Sequence, residues 1–175
     1  MSQGWITTKV QRLLDWAQAS SLRYFSVNVG CCADELFQTE SCRYDMERFG
    51  ALPEADPLFA DLLIVSGAVS VRLAPELKKV YDKMPHPRYV MAIGSCACSG
   101  GAFGPDATGG ITLAGISKVL PVDVFVPGCP PRPEAILEGL IRLQEKIRGT
   151  RLMIRRPTRR QNRVDRLQAD EWDLR

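Results

Sequence analysis

Four short apolar runs punctuate the chain, each closing on or near glycine: RYFSVNVG (23–30), ADLLIVSG (60–67), RYVMAIGS (88–95) and VDVFVPG (122–128). Their apolar residues are largely consecutive rather than alternate, the pattern of strands buried on both faces of a parallel sheet. The stretches between them change period. VRLAPELKKVYDKM (71–84) and RPEAILEGLIRLQEKI (132–147) repeat apolar residues at spacings of three and four, and the second has prolines at its start and Gly149 past its end, as helix boundaries prefer. Strands alternating with helices predict an α/β domain whose parallel sheet is covered on both faces.

Ahead of the first run, WITTKVQRLLDWAQA (5–19) sets Ile6, Val10, Leu13, Leu14 and Ala17 on one helical stripe. Such a stripe packs on its own domain or on another subunit, with a membrane-surface helix as the alternative. Beyond Arg148 the pattern fades into an Arg-rich segment, read as a solvated tail or as an arm ordered against an acidic partner. The expected organisation is an N-terminal amphipathic helix over 1–22, an α/β domain over 23–148 and a basic tail over 149–175.

Composition narrows the field. A chain of 175 residues with 45% apolar and 25% charged residues suits one globular domain. Net charge of +3 is too small to argue for nucleic acid. No basic-then-apolar leader and no run of 18 apolar residues is present, so any work at a membrane is expected to depend on partners. Six cysteines are too sparse for a disulfide scaffold, and in a reducing compartment they point to metal or redox chemistry.

Their placement is informative. Cys31 and Cys32 follow the first run, Cys96 the third and Cys129 the fourth. Loops after parallel strands share one sheet edge, where ligands bind, so four thiols from three loops can converge. At a turn after a strand the side chains no longer alternate, which lets adjacent cysteines reach one object. Four thiolates suit zinc or an iron–sulfur cluster. Structural zinc sites favour close C-x-x-C pairs, and the chain has none. GSCACSGG (94–101) offers a glycine-rich loop able to aim backbone N–H groups at cluster sulfides, and PGCPP (127–131) fixes its cysteine between prolines. Cys98, two residues from Cys96 in an extended loop, is a rival ligand; Cys42 reads as a small buried apolar residue. His86, the single histidine, reads as a surface-loop residue, and the glycines of GGAFGPDATGG (100–110) as a flexible loop with the wrong spacing for a phosphate site.

The series GCCADE, YDMERFG (44–50), ADLLIVSGAVS, LKKVYDKMPHPRYVMAIGSCACSGG and PVDVFVPGCPPRPEA resembles one family. It is the small iron–sulfur subunit shared by respiratory NADH:quinone oxidoreductase (the B subunit of complex I) and energy-converting membrane NiFe hydrogenases. The resemblance spans roughly residues 10–148. It implies a flavodoxin-like fold and one 4Fe–4S cluster on Cys31, Cys32, Cys96 and Cys129. It further implies a hetero-oligomer with a large hydrogenase-like subunit, an upstream ferredoxin-like iron–sulfur subunit and membrane subunits, on the cytoplasmic side of the inner or plasma membrane. The cluster would then pass electrons to quinone at the interface with the large subunit, and Met46 and Arg48 would lie near the headgroup pocket. Glu35 is a candidate for coupling proton uptake to cluster reduction, or a structural salt-bridge or helix-terminus charge. The tandem C-C-x-x-E is the quinone-reductase pattern, where hydrogenase relatives typically carry C-x-x-C-D. The stretch 102–118 lacks the aromatic-rich segment usual in complex I subunits, and Asp34 stands where many carry an apolar residue. The alternatives are a small subunit of a membrane NiFe hydrogenase or related complex, and a zinc-stabilised interaction module.

Overall fold

A computed structural model describes residues 13–150. Five parallel strands form one sheet: β1 (Leu22–Asn28), β2 (Ala51–Pro53), β3 (Leu62–Ser66), β4 (Tyr89–Ile93) and β5 (Val124–Val126), in spatial order β2-β1-β3-β4-β5. This is the flavodoxin-like order. The helices are α1 (residues 13–19), α2 (Cys31–Glu40), α3 (Ala74–Lys83), α4 (Ser95–Ser99), α5 (Pro105–Thr108) and α6 (Pro133–Thr150).

Successive residues of the central strands feed opposite cores. Leu62, Ile64, Met91 and Ile93 join one cluster with Leu36 of α2 and Ile136, Leu140 and Leu143 of α6. Leu63, Val65, Val90 and Ala92 join another with Leu77 of α3 and Ala97 of α4. All five residues of β3 are buried, which is why that run shows no polar alternation. Register is fixed by the ladders, with Ile64 beside Ser26 and Met91, and Ile93 beside Val126.

The four expected strands are present, each within a residue or two of its predicted start. β2 is additional, a short edge strand that admits proline. The predicted stripe of α1 faces outward where it is described: Leu13, Leu14 and Ala17 are exposed, whereas Asp15 and Ala19 are buried. Ile6, Val10 and the segment 151–175 lie outside the described residues. The stretch 100–110 is not a plain loop but two short helical turns, Gly101–Phe103 and α5, broken by glycines.

Candidate metal centre

The strand order reverses between β1 and β3, and the segments leaving β1, β3, β4 and β5 line one cavity of about 220 Å³ beyond the strand C-termini. Cys31, Cys32, Cys96 and Cys129 all line it, with Gly30, Gly67, Ala68, Gly128, Val29 and Phe103. No lining residue carries a charge. Cys32 and Cys96 are buried; Cys31 and Cys129 are exposed at the rim.

The tandem pair does not sit in an extended turn. Gly30, at φ +65°, ends the strand segment, and Cys31 and Cys32 form the first turn of α2. Adjacent positions on a helix diverge by about a quarter turn, so Cys32 turns into the core while Cys31 stays at the rim. The thiols sense one another. Burial pushes the Cys32 thiol up to about 12, and Cys31, Cys96 and Cys129 each add to that rise.

Cys96 enters on α4. The preceding Gly94 has φ +92°, and a Cβ there would overlap Cys32 Sγ. Gly101 is pressed in the same way against the Cys96 amide and Sγ, at 3.0 and 3.2 Å from an added Cβ. Glycine at both positions lets the backbone close on the sulfurs. The amides of Gly94 and Ser95 are engaged within the protein. Gly94 N–H donates to Val126 O at 2.8 Å, and Ser95 donates to Gly128 O through N–H at 2.7 Å and Oγ at 3.1 Å. These bonds tie the Cys96 segment to the Cys129 segment.

The structure separates the two spare cysteines from this group. Because 95–99 is helical, Cys96 and Cys98 point to nearly opposite sides. Cys98 packs into the second core cluster, with Sγ 3.7 Å from Ala92 O, which corrects the expectation of a shared direction in an extended loop. Cys42 is exposed rather than buried, since it follows the end of α2 on the surface. His86 is exposed, as expected.

Glu35, Met46 and Arg48 do not line the cavity. Glu35 lies half-buried on α2, close enough to Tyr44 to help raise its phenol. Met46 is 1% exposed and belongs to the core around α2 and α6. Arg48 is exposed, its guanidinium 5.4 Å from the Phe49 ring centroid. The YDMERFG segment folds as a 3-10 turn, Met46–Phe49. Asp45 occupies the left-handed region at φ +49° and accepts from the Arg48 amide at 3.3 Å. The lining residues that sequence reasoning misses are Gly67 and Ala68 after β3, signalled by the glycine closing the second run, and Phe103, the lone aromatic of a glycine-rich stretch.

The donor set fits an iron–sulfur cluster: four thiols, no competing carboxylate on the lining, and a backbone closed on two of the sulfurs. Among the described residues, no three His, Cys, Asp or Glu side chains gather as they would round a single ion.

Residues 30–143 match the family model described as NADH ubiquinone oxidoreductase, 20 Kd subunit. The chain belongs to that family. It is 44% identical over 146 residues to the B subunit of NADH-quinone oxidoreductase from Citrifermentans bemidjiense, covering 83% of this chain and 84% of the relative. Among solved structures it is similar to a chain of the membrane-bound sulfane sulfur reductase, an archaeal respiratory membrane complex, at TM-score 0.73 and 36% identity, over 79% of this chain and 76% of the other. A chain of the [NiFeSe]-hydrogenase of Dm. baculatum shares the fold at TM-score 0.55 and 15% identity, over 77% and 66% of the two chains. Family membership makes this chain a subunit of an oxidoreductase complex. No helix among the described residues is long and apolar enough to cross a membrane.

Proposed function

We propose that this chain is the electron-transfer subunit of a complex I-type oxidoreductase. It holds one 4Fe–4S cluster on Cys31, Cys32, Cys96 and Cys129 and delivers electrons to quinone at an interface with a large hydrogenase-like subunit. The observation that carries the reading is the convergence of those four thiols, from three strand ends, on one uncharged cavity. A cluster held there supplies one-electron transfer without proton chemistry of its own. The chain's residues do the rest. Four thiols give up their protons to become ligands, and the burial of Cys32 opposes that loss at its sulfur. The Gly94 and Ser95 bonds to Val126 and Gly128 hold two ligand segments in register, and the apolar wall keeps water from the buried pair.

In this reading electrons arrive from an upstream ferredoxin-like iron–sulfur subunit, and membrane subunits hold the chain peripherally on the cytoplasmic side. Arg48, exposed on the Met46–Phe49 turn, is the candidate contact to the quinone pocket, with the buried Met46 anchoring that turn in the core. Glu35 is the candidate for proton coupling. The tandem C-C-x-x-E, with the 44% identical NADH-quinone oxidoreductase relative, favours quinone as acceptor. The likeness to the sulfane sulfur reductase chain supports a second reading, in which the large subunit carries a different acceptor. Paired C-x-x-C motifs in the co-purifying large subunit would mark a NiFe site and decide for the hydrogenase form.

The test is anaerobic purification of the full chain with measurement of iron, acid-labile sulfide and the EPR spectrum after reduction. Four irons and a fast-relaxing S = 1/2 signal are expected, as sets a 4Fe–4S cluster apart from zinc. Cys129→Ser should bleach the chromophore and Cys42→Ser should not. A colourless protein carrying zinc would overturn the reading in favour of a zinc-stabilised module.

A further inference from the structure

Nine of the ten residues lining the thiol cavity are cysteine, glycine, alanine or valine; Phe103 is the single large side chain among them. It is 56% exposed, so its ring lies at the mouth, part against the cavity and part in the open. Its backbone is held from both sides. Two residues earlier, Gly101 is packed against the Cys96 amide and sulfur. On the other side the Thr108 and Thr112 hydroxyls, 2.8 Å apart, share their two protons among that contact, Gly104 O at 3.0 Å from Thr108 Oγ1, and the Phe103 carbonyl beside Thr112 Oγ1. The main chain is anchored on both flanks, while the Phe103 side chain between them is more than half exposed.

We infer that Phe103 is the cover of the thiol cavity, a positioning residue that restricts water and small solutes from reaching Cys32 and Cys96 and whatever they ligate. The consequence for access follows from the thiols alone; the consequence for redox behaviour rests on the cluster reading above. The two buried thiols are 2% and 7% exposed; Cys32 is backed by the core on one side, and on the cavity side Phe103 is the one large side chain that shares the lining with them. Where a cluster is bound, the added electron makes it more negative, and water at the mouth stabilises that state. In the isolated chain, shielding by the ring therefore holds the reduction potential down.

Two measurements on the full chain separate the claims. In the metal-free chain, maleimide labelling followed by mass spectrometry reads each cysteine. Phe103→Ala should raise the labelling rate of Cys32 and Cys96 several-fold and leave Cys42 unchanged, while Phe103→Tyr, which keeps a ring, should label as the parent does. Equal rates at Cys32 and Cys96 in the parent and Phe103→Ala would overturn the cover. A parallel rise at Cys98, which lies in the other core, would also overturn it by showing general loosening. In the anaerobically loaded chain, Phe103→Ala should lose iron to a water-soluble chelator several-fold faster and show a higher midpoint in a potentiometric EPR titration. Unchanged iron loss and midpoint in a loaded Phe103→Ala chain would refute the shielding role. A parent chain that never takes up iron would refute the cluster reading while leaving the labelling result to stand on its own.

Discussion

The phenol of Tyr44 donates a 3.0 Å hydrogen bond to the Glu134 carboxylate, 90 positions away in the chain. It joins the segment after α2, the helix opened by Cys31 and Cys32, to the first turn of α6, which follows Cys129. Gln144 adds a second tie, its Nε2 donating to Phe49 O at 2.6 Å. The two halves of the cavity wall are thus cross-braced on the outside of the sheet.

This brace has a defined pH window. Bonding from its own backbone amide, then from Tyr44, holds the Glu134 carboxyl below its ordinary value of 4.5, and the Glu134 bond holds the Tyr44 phenol above its ordinary value of 10.0. A depressed carboxyl stabilises the fold above 4.5 and loses that contribution as pH falls through its folded value; a raised phenol stabilises below 10.0 and loses its contribution as pH rises. The difference in Tm between the parent and Tyr44→Phe should be small and flat between those limits and shrink on either side. Glu134 is exposed and Tyr44 only partly buried, so the effect is modest. Thermal melts across pH check it, and a difference growing in acid would contradict the assignment.

Gly94→Ala should damage fold and site together. A side chain at φ +92° costs roughly 1–3 kcal/mol, and the new Cβ displaces Cys32 Sγ. Urea unfolding should register the loss of stability, and iron content should fall beyond what that loss explains.

Cys98→Ala and Cys96→Ala should part company. Cys98 packs in the core under α4, so its loss should cost about 1 kcal/mol by denaturant unfolding and leave iron binding intact. Cys96→Ala should remove iron with little change in the unfolding midpoint of the metal-free chain.

Met46 and Arg48, neighbours in one 3-10 turn, should give opposite phenotypes. Truncating Met46, 1% exposed, opens a core cavity, and Met46→Ala should lose about 2–5 kcal/mol. Arg48→Ala should change stability by no more than about 0.5 kcal/mol and leave the EPR signal unaltered. On the quinone reading it lowers quinone turnover in the assembled complex; unchanged turnover would remove Arg48 from the pocket.

Periodicity carries most of the fold. β3 and β4 are readable because burial on both faces leaves uninterrupted apolar runs, and α6 because its length and its proline start leave little choice. α2 escapes for a physical reason. Its inward residues are Cys32, Leu36 and Thr39, and only Leu36 is strongly apolar, so no stripe shows. β2 escapes because three residues ending in proline carry no strand signal. In the site, positions after strands identify the four convergent thiols. The direction of Cys98 is not legible, because a short helix forms where the glycine-rich sequence suggests an extended loop. Phe103 is out of reach, since its place on the cavity depends on two glycine-bounded turns that bring the chain back over Cys96.

The four sulfurs are spread from position 31 to position 129, and this orders events in the life of the chain. As the polypeptide emerges from the ribosome, the first pair is present long before the last member, and no subset reproduces the finished pocket. A centre held by all four sulfurs, as proposed above, is therefore complete only once β5 has docked and brought Cys129 to the others.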